Sequence, residues 1–154
     1  MRGPTPRLHG DVGQVGGIEV LPFGLLIFVV GSLLVANAWG VVDAKLAVTT
    51  AAREAVRAYV EAPDGDLAAV VADEAARSVV AGHGRNPDRV RIGVAHDGDE
   101  PFARCVRTTV TVSYDVPALS LPFIGGYGDA FDVRASQSEI IDPYRSGLPG
   151  SARC

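Results

Sequence analysis

Few side chains in this sequence have the type and spacing to do chemistry. The three histidines, His9, His83 and His96, are scattered, and none stands at ligand spacing from a cysteine or carboxylate. Asp97, Asp99 and Glu100 gather carboxylates in a short stretch, but without the EF-hand spacing that calcium needs, so His96–Pro101 reads as a turn. No nucleophile elbow, phosphate loop or dinucleotide fingerprint occurs. The expectation is therefore a protein that is not an enzyme, with no cofactor, no metal and no small-molecule substrate. Two features remain. Cys105 and Cys154 are the only cysteines; outside the cytoplasm they can oxidise to a bridge that pins the C-terminal tail. Two free thiols, or a bridge to another chain, are the alternatives. Glu19 is a carboxylate at the very edge of an apolar run, where it must be hydrated or paired.

That run sets the architecture. From Val20 to Val42 there are 23 positions without a charge, and the only clearly polar side chains among them are Ser32 and Asn37. About 20 such residues cross a hydrocarbon core of roughly 30 Å. A core helix of a soluble protein would show a polar face at a period near 3.6, and this run shows none. Trp39 falls near its far end, where an indole suits the water interface, and Pro22 falls in the first turns, where a missing N–H costs little. The flanking charges are balanced, so they do not orient the span. An apolar run this close to the start acts as an export signal, which places residues 1–18 in the cytoplasm and the part after residue 42 outside. Ala36-Asn37-Ala38 also has the form of a signal-peptidase site; cutting there would release a secreted domain starting at Trp39.

The expected layout is a leader over 1–18, a transmembrane helix over 19–42, an extracytoplasmic domain over 43–141 and a tail over 142–154. Residues 43–61 continue as an amphipathic helix. Asp43, Thr50, Glu54, Arg57 and Glu61 form one stripe, and Val41, Val48, Ala52, Ala55 and Tyr59 the opposite one. Span and amphipathic segment together make one helix of over 40 residues, stopped at Pro63-Asp64-Gly65. Asp66 is the expected N-cap of a second helix over 67–81, buried through Leu67, Val70, Val71, Ala75, Ser78 and Val79 and ended by Gly82 and Gly84. Strands follow. Val90, Ile92 and Val94 alternate with Arg89, Arg91 and Gly93. Starting from Cys105, the clearest strand puts Val106, Thr108, Val110, Val112, Tyr114 and Val116 on one face. The stretch 117–130, punctuated by Pro and Gly, reads as a loop whose Leu119, Leu121, Phe123, Ile124 and Tyr127 cover the core. A third strand is expected near 131–141. The fold class is α+β, with two helices and a small antiparallel sheet.

With 154 residues the chain holds one modest domain besides the span, and 47% hydrophobic residues exclude wholesale disorder. A net charge of −4, without a clustered basic surface, leaves no footprint for nucleic acid.

One family shares this pattern. Gly13-Gln14-Val15-Gly16-Gly17-Ile18-Glu19, then Val20-Leu21-Pro22 and the apolar run, then Ala51-Ala52-Arg53-Glu54-Ala55-Val56-Arg57 resemble the TadE-like pilus assembly proteins. These are minor pilins or pseudopilins of the tight-adherence (Flp, type IVb) system. The resemblance covers about residues 10–61. It implies a pilin-like fold, a place in the membrane beside other pilin subunits and the assembly machinery, and cleavage of the leader after a glycine with Glu fifth in the mature chain. Here a cut after Gly13 makes Glu19 the sixth residue, and a cut after Gln14 makes it the fifth. The resemblance also implies that Glu19 meets the free amine of a neighbouring subunit and so sets register. The other functional class open to these residues is a membrane-anchored or secreted binding module with no pilus role.

Overall fold

The computed structural model describes residues 17–98, 102–121 and 124–154. The chain divides between Ala36 and Asn37 into two compact units. The fold is α+β: helix α1 (Gly17–Glu61), helix α2 (Gly65–Gly82), a short 3-10 turn (Pro87–Arg89) and strands β1 (Val90–His96), β2 (Arg107–Leu121) and β3 (Gly125–Ile140). The strands form one antiparallel sheet in the order β1-β2-β3.

In the first unit, α1 presents large apolar side chains to its surroundings all round. Leu21, Phe23, Leu25, Ile27, Phe28, Leu34 and Val35 are all exposed. This stretch has no polar stripe, and by length and composition it is able to cross a membrane.

In the second unit the same helix becomes a core element. Ala44, Ala47, Val48, Ala51, Ala52, Ala55, Val56 and Tyr59 are buried, and Thr50, Glu54, Arg57 and Glu61 lie opposite. The buried stripe is mostly Ala and Val, so neighbouring backbone can come close. Arg57 and Glu61 form the i,i+4 pair at 3.0 Å, both well exposed and of small worth.

The cap of α2 differs from the sequence expectation. Asp64, not Asp66, is the N-cap: its backbone is extended and its side chain accepts from the Leu67 N–H at 2.9 Å. Gly65 follows because the connection is tight; a Cβ there would stand 3.0 Å from the Cβ of Phe102. The buried stripe of α2 is Ala68, Ala72, Ala76 and Val80, while Leu67 and Val70 are exposed. Of the expected stripe, Val71 and Val79 do pack partly against the core, but the fully buried line is the one that repeats strictly at i+4 and faces the shared core.

The sheet follows its alternation. Thr108, Val110, Val112, Tyr114 and Val116 of β2 are buried with Val133 and Ala135 of β3. The outer face carries hydroxyl pairs across the strands, Thr109 with Ser138 and Thr111 with Ser136, each at 2.8 Å. Two expectations are corrected. Cys105 precedes β2 in a turn with φ +67 and is not its first residue. The stretch 117–130 is not a core-covering loop: β2 runs to Leu121, β3 begins at Gly125, and Leu119 pairs with Tyr127. Ile124 and Tyr127 are exposed. Pro117 is tolerated because β1 pairing ends at Tyr114, leaving that edge of β2 open. The turn expected at 96–101 bends at Asp97 and Gly98; its last three positions lie outside the described residues.

Candidate functional site

The residues singled out from the sequence fall in three places. Gly13 and Gln14 lie outside the described residues. Glu19 is in the first turn of α1, one position before the exposed apolar run, and its side-chain surroundings are likewise outside the description. Cys105 and Cys154 are joined by a disulfide across 49 positions. Glu19 and the two cysteines belong to different units. Among the described residues, no group of three or more His, Cys, Asp or Glu side chains is placed to hold a metal.

The feature with functional meaning is α1 itself. One helix in the described chain is long and apolar enough to cross a membrane, and none of its most apolar window is buried. Trp39 is 71% exposed near the end of that run.

Two arginines that sequence reasoning did not single out hold the second part of this helix. Arg85, only 17% exposed, donates to the Asp43 carboxylate at 2.7 Å and to the Gly40 carbonyl at 2.8 Å. Its guanidinium also lies over the Tyr114 ring at 5.8 Å. It therefore fixes the point where the apolar run meets the folded head. Arg145 does the same at the other end. It donates to the carbonyls of Val60 at 2.7 Å, of Glu61 at 3.3 Å and of Ala62. These are the unpaired carbonyls that a helix terminus leaves, and α1 has no basic residue of its own in its last turn. Neither arginine carries a local sequence signal, since their hydrogen-bond partners lie 42 to 85 positions away.

The tail that delivers Arg145 is itself fastened. Ile141 is fully buried and exchanges backbone hydrogen bonds with Val106 and Cys105. The Arg104 N–H donates to the Pro149 carbonyl at 2.9 Å, and its side chain donates to the Gly150 carbonyl at 2.6 Å. Gly150 needs to be glycine: its φ is +96, and a Cβ would meet the Arg104 carbonyl oxygen at 2.9 Å. The disulfide closes this clasp.

Beneath α1 lies a small polar cluster. The Tyr59 hydroxyl and His96 Nε2 share a hydrogen bond of 3.3 Å, and His96 Nδ1 pairs with the Thr108 hydroxyl at 3.2 Å. Partial burial pulls the His96 pKa down and pushes the Tyr59 pKa up. At the sheet surface, Arg91 donates to Asp115 and holds that carboxyl below its ordinary range. Each of these groups is partnered by another.

Compared with family models, curated proteins and solved structures, the chain matches none of them.

Proposed function

We propose that this protein is a structural, membrane-anchored TadE-like minor pilin or pseudopilin, acting in assembly of a Flp-type pilus or a related secretion apparatus. The observation that carries the reading is the double use of α1: its first part is an apolar cylinder with nothing buried, and its second part is the spine of an α+β head. A subunit so built can rest in the bilayer by one end of a helix and present its head by the other. The disulfide supports a head outside the cytoplasm, because such bonds persist in oxidising compartments. The N-terminus then lies in the cytoplasm, and the partners are the membrane, other pilin subunits and the assembly machinery. The leader around Gly13-Gln14 and the carboxylate of Glu19 supply processing and register, as the resemblance implies.

Intact-mass analysis of the membrane-bound protein from its own host, combined with subunit crosslinking, tests this reading. A mature chain starting at Gln14 or Val15, with neighbour crosslinks that vanish in Glu19→Gln, is the expected result. A start at Trp39, or crosslinking and piliation unchanged by Glu19→Gln, sinks the reading. The loss in the variant should be large, since an amine left unpaired at a membrane costs several kcal/mol.

A further inference from the structure

Lys45 is the only lysine in the chain. It stands on α1 three positions after Val42, where the uncharged run ends, and its ammonium donates to the Arg134 carbonyl of β3. An ammonium has three N–H groups, so this bond leaves two, and no carboxylate among the described residues pairs with it. The charges beside it on the sheet are matched. Asp132 is engaged by Arg134 and lies 3.8 Å from Arg91, and Arg91 also donates to Asp115. Lys45, Arg91 and Arg134 therefore stand against two carboxylates, Asp115 and Asp132, and one positive charge is left over among the described residues.

Lys45, Arg134 and Asp132 rim a groove between α1 and β3 of about 450 Å³, within the range of about 300–1,000 Å³ that small-molecule sites occupy. Its floor is apolar: Val41 packs against the core and Val133 is buried. Its wall on the helix is Val42, 51% exposed, and Leu46, 60% exposed. Trp39, Val42 and Leu46 follow at helical spacings of three and four, so they make one apolar stripe from the groove to the last turns of the uncharged run. The stripe, the groove and its charges all lie within Asn37–Cys154. Bare aliphatic side chains beside an unmatched ammonium suit an amphiphile, with charge at one end and hydrocarbon at the other.

We propose that this groove binds one anionic phospholipid, with the phosphate between Lys45 and Arg134 and the glycerol end of the acyl chains against Leu46, Val42 and Trp39. The inference rests on the reading of α1 as a membrane span. Charge and continuity select the occupant. Lys45 lies about 4.5 Å beyond Val42, at about 1.5 Å per residue, and the headgroup layer is about 5–8 Å deep on each side of the hydrocarbon core. The ammonium therefore stands at the depth of lipid phosphates, and the apolar stripe runs back from it toward hydrocarbon. A free phosphate would use the cations and leave Val42 and Leu46 bare; a phospholipid engages both. A lysine near the end of any span reaches for headgroups in general. Here Arg134 supplies a second cation from β3, so the seat has two sides and a bound lipid bridges helix and sheet.

Because Lys45 is the only lysine, amine-reactive labelling of the peptide that carries it reads the groove directly. The full-length protein is placed in nanodiscs of phosphatidylcholine, alone or mixed with phosphatidylglycerol, and labelling rates are compared by mass spectrometry. Phosphatidylglycerol should slow the labelling of wild type roughly fivefold or more. Arg134→Gln and Leu46→Gln, both at exposed side chains, should lose most of this protection. Protection kept in both variants traces it to the charged disc surface and overturns the groove. Equal labelling in the two kinds of disc also overturns it, whether Lys45 is open in both or covered in both by a second copy. Inorganic phosphate added to phosphatidylcholine discs should protect little; protection equal to that of phosphatidylglycerol means a free-anion site and overturns the lipid. Protein that stays out of the discs overturns the span and the groove together, whereas incorporation with Lys45 unprotected overturns the groove and leaves the span standing. Either variant alone decides the matter if the other does not fold.

Discussion

Removing Arg145 tests whether the tail is a structural part of the head rather than a loose end. Its guanidinium donates to three carbonyls at the end of α1 and lies 5.8 Å from the centre of the Phe102 ring. Hydrogen bonds to a charged group are worth about 1.5–3 kcal/mol each, and a cation at a helix C-terminus adds about 0.3–1 kcal/mol. These terms do not sum. The residue is half-buried, and water can reach Glu61 once the side chain is gone, whereas Ala62 is almost fully buried and loses its partner outright. Arg145→Ala should therefore cost about 2–3 kcal/mol. For a unit the size of Asn37–Cys154 that is a fall in Tm of about 8–12 °C. Near-ultraviolet circular dichroism of the full-length protein in detergent reads it, because Tyr59 lies in the same core. Arg145→Lys keeps the charge but not the planar fork, and should recover about half of the loss. A fall below about 2 °C in Arg145→Ala would refute the argument that the tail caps the helix. Equal losses in the Lys and Ala variants would refute its electrostatic part.

Two further outcomes follow from the head. Cys154→Ser opens a loop closed across 49 positions, which by loop-closure entropy costs about 4 kcal/mol, so the variant should melt well below wild type and the oxidised wild type should migrate faster than the reduced form on a non-reducing gel. The pKa of His96 is depressed in the folded head by burial, so the unfolded chain binds its proton more readily; stability is complete above the unfolded value near pH 6.5 and falls as pH drops below it. His96→Gln should flatten the Tm between about pH 7.5 and 5.5, and an unchanged slope in that variant would show that another group carries it.

What the residues determine on their own is whatever depends on pattern along one segment. The uncharged run from Val20 to Val42 makes a helix long and apolar enough to cross a membrane, and none of its most apolar window is buried. The alternation from Thr108 to Val116 specifies a strand with one buried face, and that face is buried. The small-residue stripe from Ala44 to Tyr59 similarly marks the buried side of α1. Tertiary structure decides what depends on partners distant in sequence. Pro117, Pro122 and the paired glycines after Ile124 punctuate a local reading into a loop. Cross-strand hydrogen bonds override that punctuation, because β1 has already ended and Pro117 has no donor to lose on the open edge. On α2, Leu67 and Val70 look like core by size, but the face that meets the shared core is the one of Ala68, Ala72 and Ala76, and closeness of approach favours the smaller side chains. The pairing of Cys105 with Cys154, and the arrival of Arg85 and Arg145 at the two ends of the head's helix, need the chain to fold back over 42 to 85 positions. No local propensity encodes such a return; it is set when the sheet packs on α1 and brings the tail against the helix end.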